Sequence, residues 1–366
     1  MKRILSAVIS FLLILGLMPT AEAVGTSASS AILMEAQSGK VLYEQNIHDR
    51  RLIASITKLM TALVAIESKV DLQKTIEVDP AWTGIEGSSI YLQAGEKVTL
   101  ELLLYGMLLR SGNDAAIAAA AVCGGTVEEF VARMNDKAAQ LGMKNSSFAN
   151  PNGLNADDHY STAYDMALLA RACLENETLS KIVSTKSITL GTRVFTNHNK
   201  LLWRYDGCLG LKTGYTEKAG RTLVSAAQRD GMTLICVTLN DPDDWSDHAG
   251  LFDFGFEQYK VEPLCSAGEA ICRLPVENSL IPFAQVVTGE DSSVVLQHGE
   301  TVERRTELEI RSLRAPVPAG TLVGEALWLS NGEVIARTDL ITKTDIPSNK
   351  AEDGGFMNWL RAVKER

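Results

Sequence analysis

Ala54-Ser55-Ile56-Thr57-Lys58-Leu59-Met60 sets a hydroxyl and an amine three residues apart at the head of a segment patterned for a buried helix. Ile56, Leu59, Met60 and Leu63 fall at i, i+3, i+4 and i+7, the stripe of an amphipathic helix, so Ser55 and Lys58 share one face. A serine hydroxyl attacks only when a base takes its proton, and an amine one turn away serves once burial or a second cation lowers its pKa. The helix N-terminus adds free backbone N–H groups and the positive end of a dipole. Chance alone supplies about one Ser-x-x-Lys in a chain of this size. The spacing has meaning only in company.

Two further segments keep that company. Thr99 to Leu109 predicts a helix with a wide apolar face, and Ala115 to Val122 predicts an Ala-rich one; Arg110-Ser111-Gly112-Asn113-Asp114 is the tight connection between them. Local hydrogen bonding accounts for Ser and Asn in most such turns. Farther on, Leu209-Gly210-Leu211-Lys212-Thr213-Gly214-Tyr215 precedes two apolar runs, Arg221 to Ala227 and Met232 to Leu239, joined at Asp230-Gly231. An Asp-Gly turn between apolar runs marks an antiparallel hairpin and puts Lys212-Thr213-Gly214 on or beside a neighbouring strand.

The rest of the chain fits around these three segments. Ala31 to Glu35 and Lys40 to Glu44 flank Gln37-Ser38-Gly39 as an early hairpin, residues 70–98 are mixed and turn-rich, and 127–141 is helical. Asn150-Pro151-Asn152-Gly153 is a turn, Ser161 to Asp165 opens a helix running to Cys173, and Ile188 to Phe195 is strand-like. Leu251, Phe252, Phe254 and Phe256 mark a last helix that packs on the sheet. Strands early and late with helices between predict an α+β domain, an antiparallel sheet flanked by helices, over residues 24–258. From about residue 260 helical periods give way to short strand patterns, at Val294 to Leu296, Glu307 to Ile310, Gly324 to Leu329 and Val334 to Ile341. These predict a small all-β domain over 259–348.

Both ends read as something other than core. Lys2-Arg3, the apolar run Ile4 to Met18 and Ala21-Glu22-Ala23 form a secretory signal peptide, residues 1–23, cleaved after Ala23; an uncleaved anchor is disfavoured by the shortness of the run. Residues 349–366 put Phe356, Met357, Trp359, Leu360 and Val363 on one side of a helix and Arg361, Lys364 and Arg366 on the other. Such a basic amphipathic tail suits a membrane interface, and a terminal helix docked on its own domain is the competing reading. A net charge of −10 argues against nucleic acid as a partner. The six cysteines include no Cys-x-x-Cys, Cys265 and Cys272 being the one close pair; the five scattered histidines give no support for a metal or other cofactor.

Ser-x-x-Lys, Ser-x-Asn and Lys-Thr-Gly, in that order, resemble the trio of the penicillin-binding proteins and class A β-lactamases. The resemblance narrows through Ser38-Gly39-Lys40-Val41-Leu42, Thr57 to Thr61, Met134-Asn135, Lys137-Ala138, Leu141-Gly142-Met143, Phe148 to Leu154, and Lys212 to Thr216 with Ala219-Gly220. Together these look like the D-alanyl-D-alanine carboxypeptidases of the low-molecular-mass penicillin-binding class, across most of residues 28–257. It implies a β-lactamase/transpeptidase-like catalytic domain, an added β-domain, and hydrolysis of the terminal D-Ala of peptidoglycan stem pentapeptides. β-Lactam antibiotics would be covalent inhibitors, and the place of action would be the outer face of the cytoplasmic membrane or the cell wall.

Carried onto this sequence, the resemblance makes Ser55 the nucleophile, Lys58 its proton acceptor and Ser111 the relay to the leaving amine. Asn113 would bind the substrate peptide, Lys212 and Thr213 its carboxylate, and Gly214 would let substrate lie along the strand edge. The amides of Ser55 and Tyr215 would form the oxyanion hole. His198 stands near where some relatives have an arginine on the carboxylate, and contributes a charge only when protonated. Ile53 replaces the relatives' usual proline two residues before the nucleophile. A secreted β-lactamase is the nearest rival, but neither Glu175 nor Glu177 has the asparagine four residues on that a class A enzyme requires. A non-hydrolytic penicillin-binding sensor is the rival from outside the enzymes.

Overall fold

The computed structural model describes residues 24–348, so the leader and the amphipathic tail lie outside the described residues. The chain forms two compact units. One gathers Val41–Ala227, Ile235–Phe254 and the chain up to Met34; the other gathers Gly255 onward with the short turns Glu35–Lys40 and Gln228–Leu234.

In the first unit, strands β1 (Ser30–Glu35), β2 (Val41–Gln45), β7 (Cys208–Thr216), β8 (Gly220–Arg229) and β9 (Met232–Leu239) make a five-stranded sheet in the order β2-β1-β9-β8-β7. The β1–β2 and β7–β8 pairs are antiparallel, and β7 is an edge strand. Helix α8 (Asp244–Gln258) packs on this sheet as the apolar pattern predicts, with Leu251 and Phe252 fully buried. His248 on α8 joins Ser225 Oγ of β8 through Nδ1 at 2.5 Å and Thr238 Oγ1 of β9 through Nε2 at 3.0 Å. Burial pushes its pKa down to about 3, so the ring is a neutral polar rivet.

The helical block is α1 (Lys58–Glu67), α2 (Leu100–Leu109), α3 (Asn113–Gly124), α4 (Val127–Gln140), α5 (Ala163–Glu175), α6 (Glu177–Ser184) and the short α7 (Leu201–Arg204). Helix α1 is its hub. Residues Lys58 to Ala65 are all buried, and α1 touches α2 to α6 and strand β7. Each large apolar side chain of α1 contributes roughly 1.5–3 kcal/mol by leaving water. That is enough to hold polar groups at its head in a place they would not choose. Ribbons β3 (Thr75–Glu77) with β4 (Lys97–Thr99), and β5 (Ser187–Leu190) with β6 (Arg193–Thr196), lie outside the sheet. The strand-like stretch at 188–195 is therefore a hairpin.

The second unit is all β. Strands β10 (Tyr259–Cys265) and β13 (Ser292–Gln297) form one ribbon. β14 (Glu303–Leu308), β16 (Leu322–Ser330), β17 (Glu333–Thr342), β12 (Phe283–Thr288), β11 (Ala270–Glu277) and β15 (Leu313–Arg314) form a sheet in that order. Leu274, Val286, Val323, Ala326, Trp328 and Leu340 are among its core residues, and Trp328 donates from Nε1 to Thr338 Oγ1 at 3.0 Å. All six cysteines are free thiols, the close pair Cys265 and Cys272 included.

Candidate active site

The α-helix begins at Lys58, later than the sequence pattern implies. Ser55 sits in a 3-10 turn, Ala54–Thr57, entered through Ala54 at φ +48°. In a 3-10 turn residues three apart eclipse, and the consequence is a direct contact: Lys58 Nζ lies 2.9 Å from Ser55 Oγ. Thr57 holds the turn, donating from Oγ1 to Ala54 O at 2.8 Å. His159 holds Thr57 in turn. Its Nδ1 accepts from Ala149 N–H at 3.1 Å, which leaves the proton on Nε2, 2.7 Å from Thr57 Oγ1. Burial takes the His159 pKa down to about 4, consistent with that neutral tautomer.

The other two partners of Lys58 are acceptors only: Asn113 Oδ1 at 2.7 Å and the Asn152 carbonyl at 2.5 Å. A neutral amine has two N–H groups and one lone pair. In that neutral form both N–H groups would be engaged by the two acceptors, and the lone pair would be left for Ser55 Oγ. Lys58 is fully buried, and desolvation, then the nearby Lys212 charge, lower its pKa well below the ordinary value, partly opposed by Asp114. Sequence reasoning found the amine but not the Asn152 carbonyl, which it left inside a turn. Residues 150–154 are lashed to α1 by that bond and by Thr61 Oγ1 donating to Pro151 O at 2.6 Å.

Ser111 has φ +63°, a left-handed backbone held between α2 and α3; such strain in a non-glycine residue survives where surrounding packing enforces it. Its Oγ lies 3.3 Å from Lys212 Nζ, which also donates to Thr213 O at 2.7 Å. Asn113 is the first residue of α3 and not part of the loop. Its backbone N–H donates to Ser88 O at 2.7 Å and its Nδ2 to Glu86 O at 2.5 Å. The next residue, Asp114, accepts from the amides of Ile90 and Leu92 and from Ser89 Oγ. Through these bonds the turn-rich stretch before α2 becomes a wall of the site, a role no residue type in it announces.

Lys212 is buried within edge strand β7, and burial lowers its pKa to about 7. Gly214 has its vacant side against the nucleophile turn: a Cβ there would come within 2.9 Å of Ser55 N and 2.4 Å of Thr222 Oγ1. The glycine therefore serves the approach of β7 to the turn, in addition to whatever substrate contact the strand edge makes. Tyr215 is largely exposed beside it. His198 also lines the cleft, and its pKa falls to about 4 through partial desolvation and the charges of Lys212 and Arg110. At neutral pH it is uncharged.

An open cleft of about 460 Å³ runs from Ser55, Ser111, Thr213 and His198 to Arg221, Asp244 and Trp245. A second depression on the other side of Ser55 and Tyr215 is bounded by Asn113, Asn152 to Asn155 and Thr216 to Lys218. Arg221, on β8 opposite Tyr215, pairs with Asp244 Oδ1 at 2.6 Å, its guanidinium 5.7 Å from the Trp245 ring, and its Nε has no partner. Sequence reasoning missed this trio: β8 read simply as a strand, and only its pairing with β7 brings Arg221 to the cleft.

A buried amine against a serine hydroxyl, on a helix wedged behind the edge strand of an α+β sheet, defines a class: the serine acyl-transfer fold of the penicillin-binding proteins. The profile of the D-alanyl-D-alanine carboxypeptidases, peptidase family S11, matches residues 18–243, and that of the penicillin-binding protein 5 C-terminal domain matches 259–348. D-alanyl-D-alanine carboxypeptidase DacF of Bacillus subtilis is 33% identical over 99% of this chain and 97% of its own. DacA of Escherichia coli is 33% identical over 87% of this chain and 84% of its own. Penicillin-binding protein 5 of Haemophilus influenzae superposes with a TM-score of 0.78 at 29% identity, covering 88% of this chain and 98% of that one. The chain belongs to the D-alanyl-D-alanine carboxypeptidase family of serine peptidases.

Proposed function

We propose that this chain releases the terminal D-Ala of peptidoglycan stem pentapeptides through an acyl-enzyme on Ser55, limiting cross-linking, and that penicillins acylate the same hydroxyl. The observation that carries the reading is the buried Lys58 Nζ at 2.9 Å from Ser55 Oγ, its other two partners being acceptors only. Ser55 Oγ bonds to the penultimate carbonyl carbon while its proton passes to Lys58 Nζ. The developing oxyanion faces the Ser55 and Tyr215 amides. As the C–N bond breaks, the proton held on Lys58 passes by way of Ser111 Oγ to the leaving amine, so Lys58 is neutral again while Lys212, beside Ser111, keeps its charge. Water then attacks the ester, Lys58 again accepting the proton, and Ser55 is restored. Asn113 faces the acyl side of the substrate.

The leaving D-Ala carries a free carboxylate, and the arm of the cleft beyond Ser111 supplies its counter-charges. Lys212 and Thr213 bind it, Arg221 adds a guanidinium held ready by Asp244, and neutral His198 offers at most a hydrogen bond. The test is D-alanine release from a free-acid pentapeptide compared with its C-terminal amide, with mass spectrometry of the Ser55 peptide after penicillin treatment. The acid is expected to be cleaved at least about a hundredfold faster, since losing one charge-assisted bond costs roughly 1.5–3 kcal/mol and two are lost. Equal cleavage would point to an endopeptidase, acylation at Ser55 without turnover to a sensor, and rapid penicillin hydrolysis to a β-lactamase. Arg221→Ala is expected to raise KM for the acid about tenfold, with kcat and the amide reaction little changed.

The site also sets a pH dependence. Lys212 must be charged to hold a carboxylate, and its pKa of about 7 means that charge is lost as pH rises through neutrality. The basic limb of kcat/KM is expected near pH 7. In kcat it lies higher, because bound carboxylate favours the protonated lysine. Coincident limbs in the two profiles would assign the titration elsewhere.

Export and membrane attachment belong to the same reading. A leader of signal-peptide pattern at residues 1–23 and a basic amphipathic tail at 349–366 support action at the outer face of the cytoplasmic membrane or in the wall, where the stem peptides are.

A further inference from the structure

In the all-β unit, strands β11 and β12 pair antiparallel with Leu274 opposite Ala284 and Pro275 opposite Phe283. Their connection leaves four consecutive apolar residues, Leu280, Ile281, Pro282 and Phe283, facing solvent; Leu280 is 87% exposed, Ile281 43% and Phe283 51%. Among the described residues the other large exposed apolar side chains of this unit, Leu308, Leu322, Val334 and Ile335, occur singly or in a pair, none of them more than half exposed. A run of this kind on a soluble domain marks a contact surface. The knuckle is built: Val276 N–H donates to Pro282 O at 2.9 Å and Ile281 N–H to Ser279 Oγ at 3.2 Å.

Ser279 says what the knuckle stands beside. Its Oγ donates to Pro347 O at 2.9 Å, and Pro347 follows Ile346, which is anchored by a bridge to Val317. The chain therefore leaves the domain next to the knuckle, with 18 residues of sequence still to come, and its apolar positions begin at Phe356. Seven residues lie between Ser348 and Phe356, so the two are at most about 28 Å apart along extended chain.

We propose that the Leu280–Phe283 knuckle inserts into the same lipid interface as residues 349–366, so that the C-terminal domain meets the membrane at two neighbouring points. This rests on the reading that the tail binds membrane, and adds to it a second element contributed by the folded domain. Apolar side chains at an interface contribute in proportion to the area they bury, while cations of the tail draw the pair toward anionic lipid. Two modest contacts joined by a short linker bind far more tightly than either alone.

The test is co-sedimentation with vesicles of phosphatidylethanolamine and phosphatidylglycerol, using the chain from residue 24, its Leu280→Ser/Ile281→Ser/Phe283→Ser variant, the chain ending at residue 355, and the combination. The triple variant is expected to partition about tenfold or more weakly, and the shortened chain to keep weak binding that the combination loses. Far-UV circular dichroism and a thermal melt report that the all-β unit of the variant is folded, and penicillin acylation that the first unit is; should the triple variant not fold, Leu280→Ser alone is expected to weaken binding about threefold. If the triple variant binds like the parent while the shortened chain does not bind, the knuckle proposal falls and the tail reading stands. Equal binding by all four chains sinks both. Stronger binding by the triple variant would mean that the tail covers the knuckle in solution, which also overturns the proposal.

Discussion

Replacing Lys58 by methionine is expected to slow acylation of Ser55 by a penicillin at least about a thousandfold, within the range a positioned general base supplies. Methionine fills nearly the same volume but has no lone pair to take the Ser55 proton. The protein should remain folded: the substitution removes a fully buried amine whose desolvation already disfavours its charge. Against that gain stand Asn113 Oδ1 and Asn152 O, each losing a donor at roughly 1–3 kcal/mol. A melting temperature within several degrees of the parent, together with the collapse in acylation rate, is the expected pair of results. An acylation rate within tenfold of the parent would transfer the base role to another group, and Lys212 Nζ, engaged with Ser111 Oγ, is the amine that stands nearest in line. Lys58→Arg does not rescue, because a guanidinium stays protonated and offers no lone pair.

That result would also separate the two lysines by task. Both are buried and both are lowered, yet Lys58 Nζ lies against Ser55 Oγ with Asn113 Oδ1 and Asn152 O as its other partners, while Lys212 Nζ lies against Ser111 Oγ. On the proposed reading the first would work as a neutral base and the second as a cation. The Lys212 charge adds to burial in lowering Lys58, whereas burial alone lowers Lys212.

What could be read from sequence divides along a physical line. Side-chain chemistry with a fixed local spacing was legible in part: Ser55 meets Lys58 and Lys212 lies on a strand as the patterns imply, while Asn113 opens α3 and does not share the loop with Ser111. The two-part organisation was legible too, because loss of the helical period after residue 260 reflects a change in how apolar residues must face. Main-chain groups were not. The Asn152 carbonyl on Lys58 and the Ser88 carbonyl on Asn113 come from bonds that any residue type could make. Arg221 and Asp244 were invisible for another reason, since only the pairing of β8 with β7 and the placement of α8 set them beside the cleft. The start of α1 was misjudged by three residues because the apolar stripe runs unbroken through Ile56, while the backbone there tightens to 3-10 geometry around Ala54. Strand β10 escaped because nearly all its residues are half-buried and give no alternation.

Gly153→Ala is expected to damage the site by pressing on the turn that carries Ser55. Gly153 has φ +85°, which already costs an alanine about 1 kcal/mol. Its added Cβ would also lie 2.0 Å from Ala54 O and 3.0 Å from Ser55 N. Neither neighbour can retreat easily. Ala54 O is held by Thr57 Oγ1, Thr57 is held by His159, and on the far side Gly214 brings β7 against the same turn. On its own side Gly153 is fixed by Asn150 Oδ1 at 2.7 Å and by the bond from Lys58 to the preceding carbonyl. Relief must therefore come from moving the Ser55 turn or the Asn152 carbonyl, and either displaces the nucleophile from its base. A stability loss of about 2–4 kcal/mol, combining the backbone cost with overpacking, is expected alongside acylation slowed at least about a hundredfold. Gly142→Ala supplies the control: φ there is +76° with nothing within 4 Å of the added atom, so only the backbone cost of about 1 kcal/mol applies and acylation should not change. Urea denaturation and penicillin acylation of the two variants side by side decide the matter. Matching losses in both would mean that backbone conformation alone makes Gly153 necessary, and that the turn carrying Ser55 has room the packing around it does not suggest.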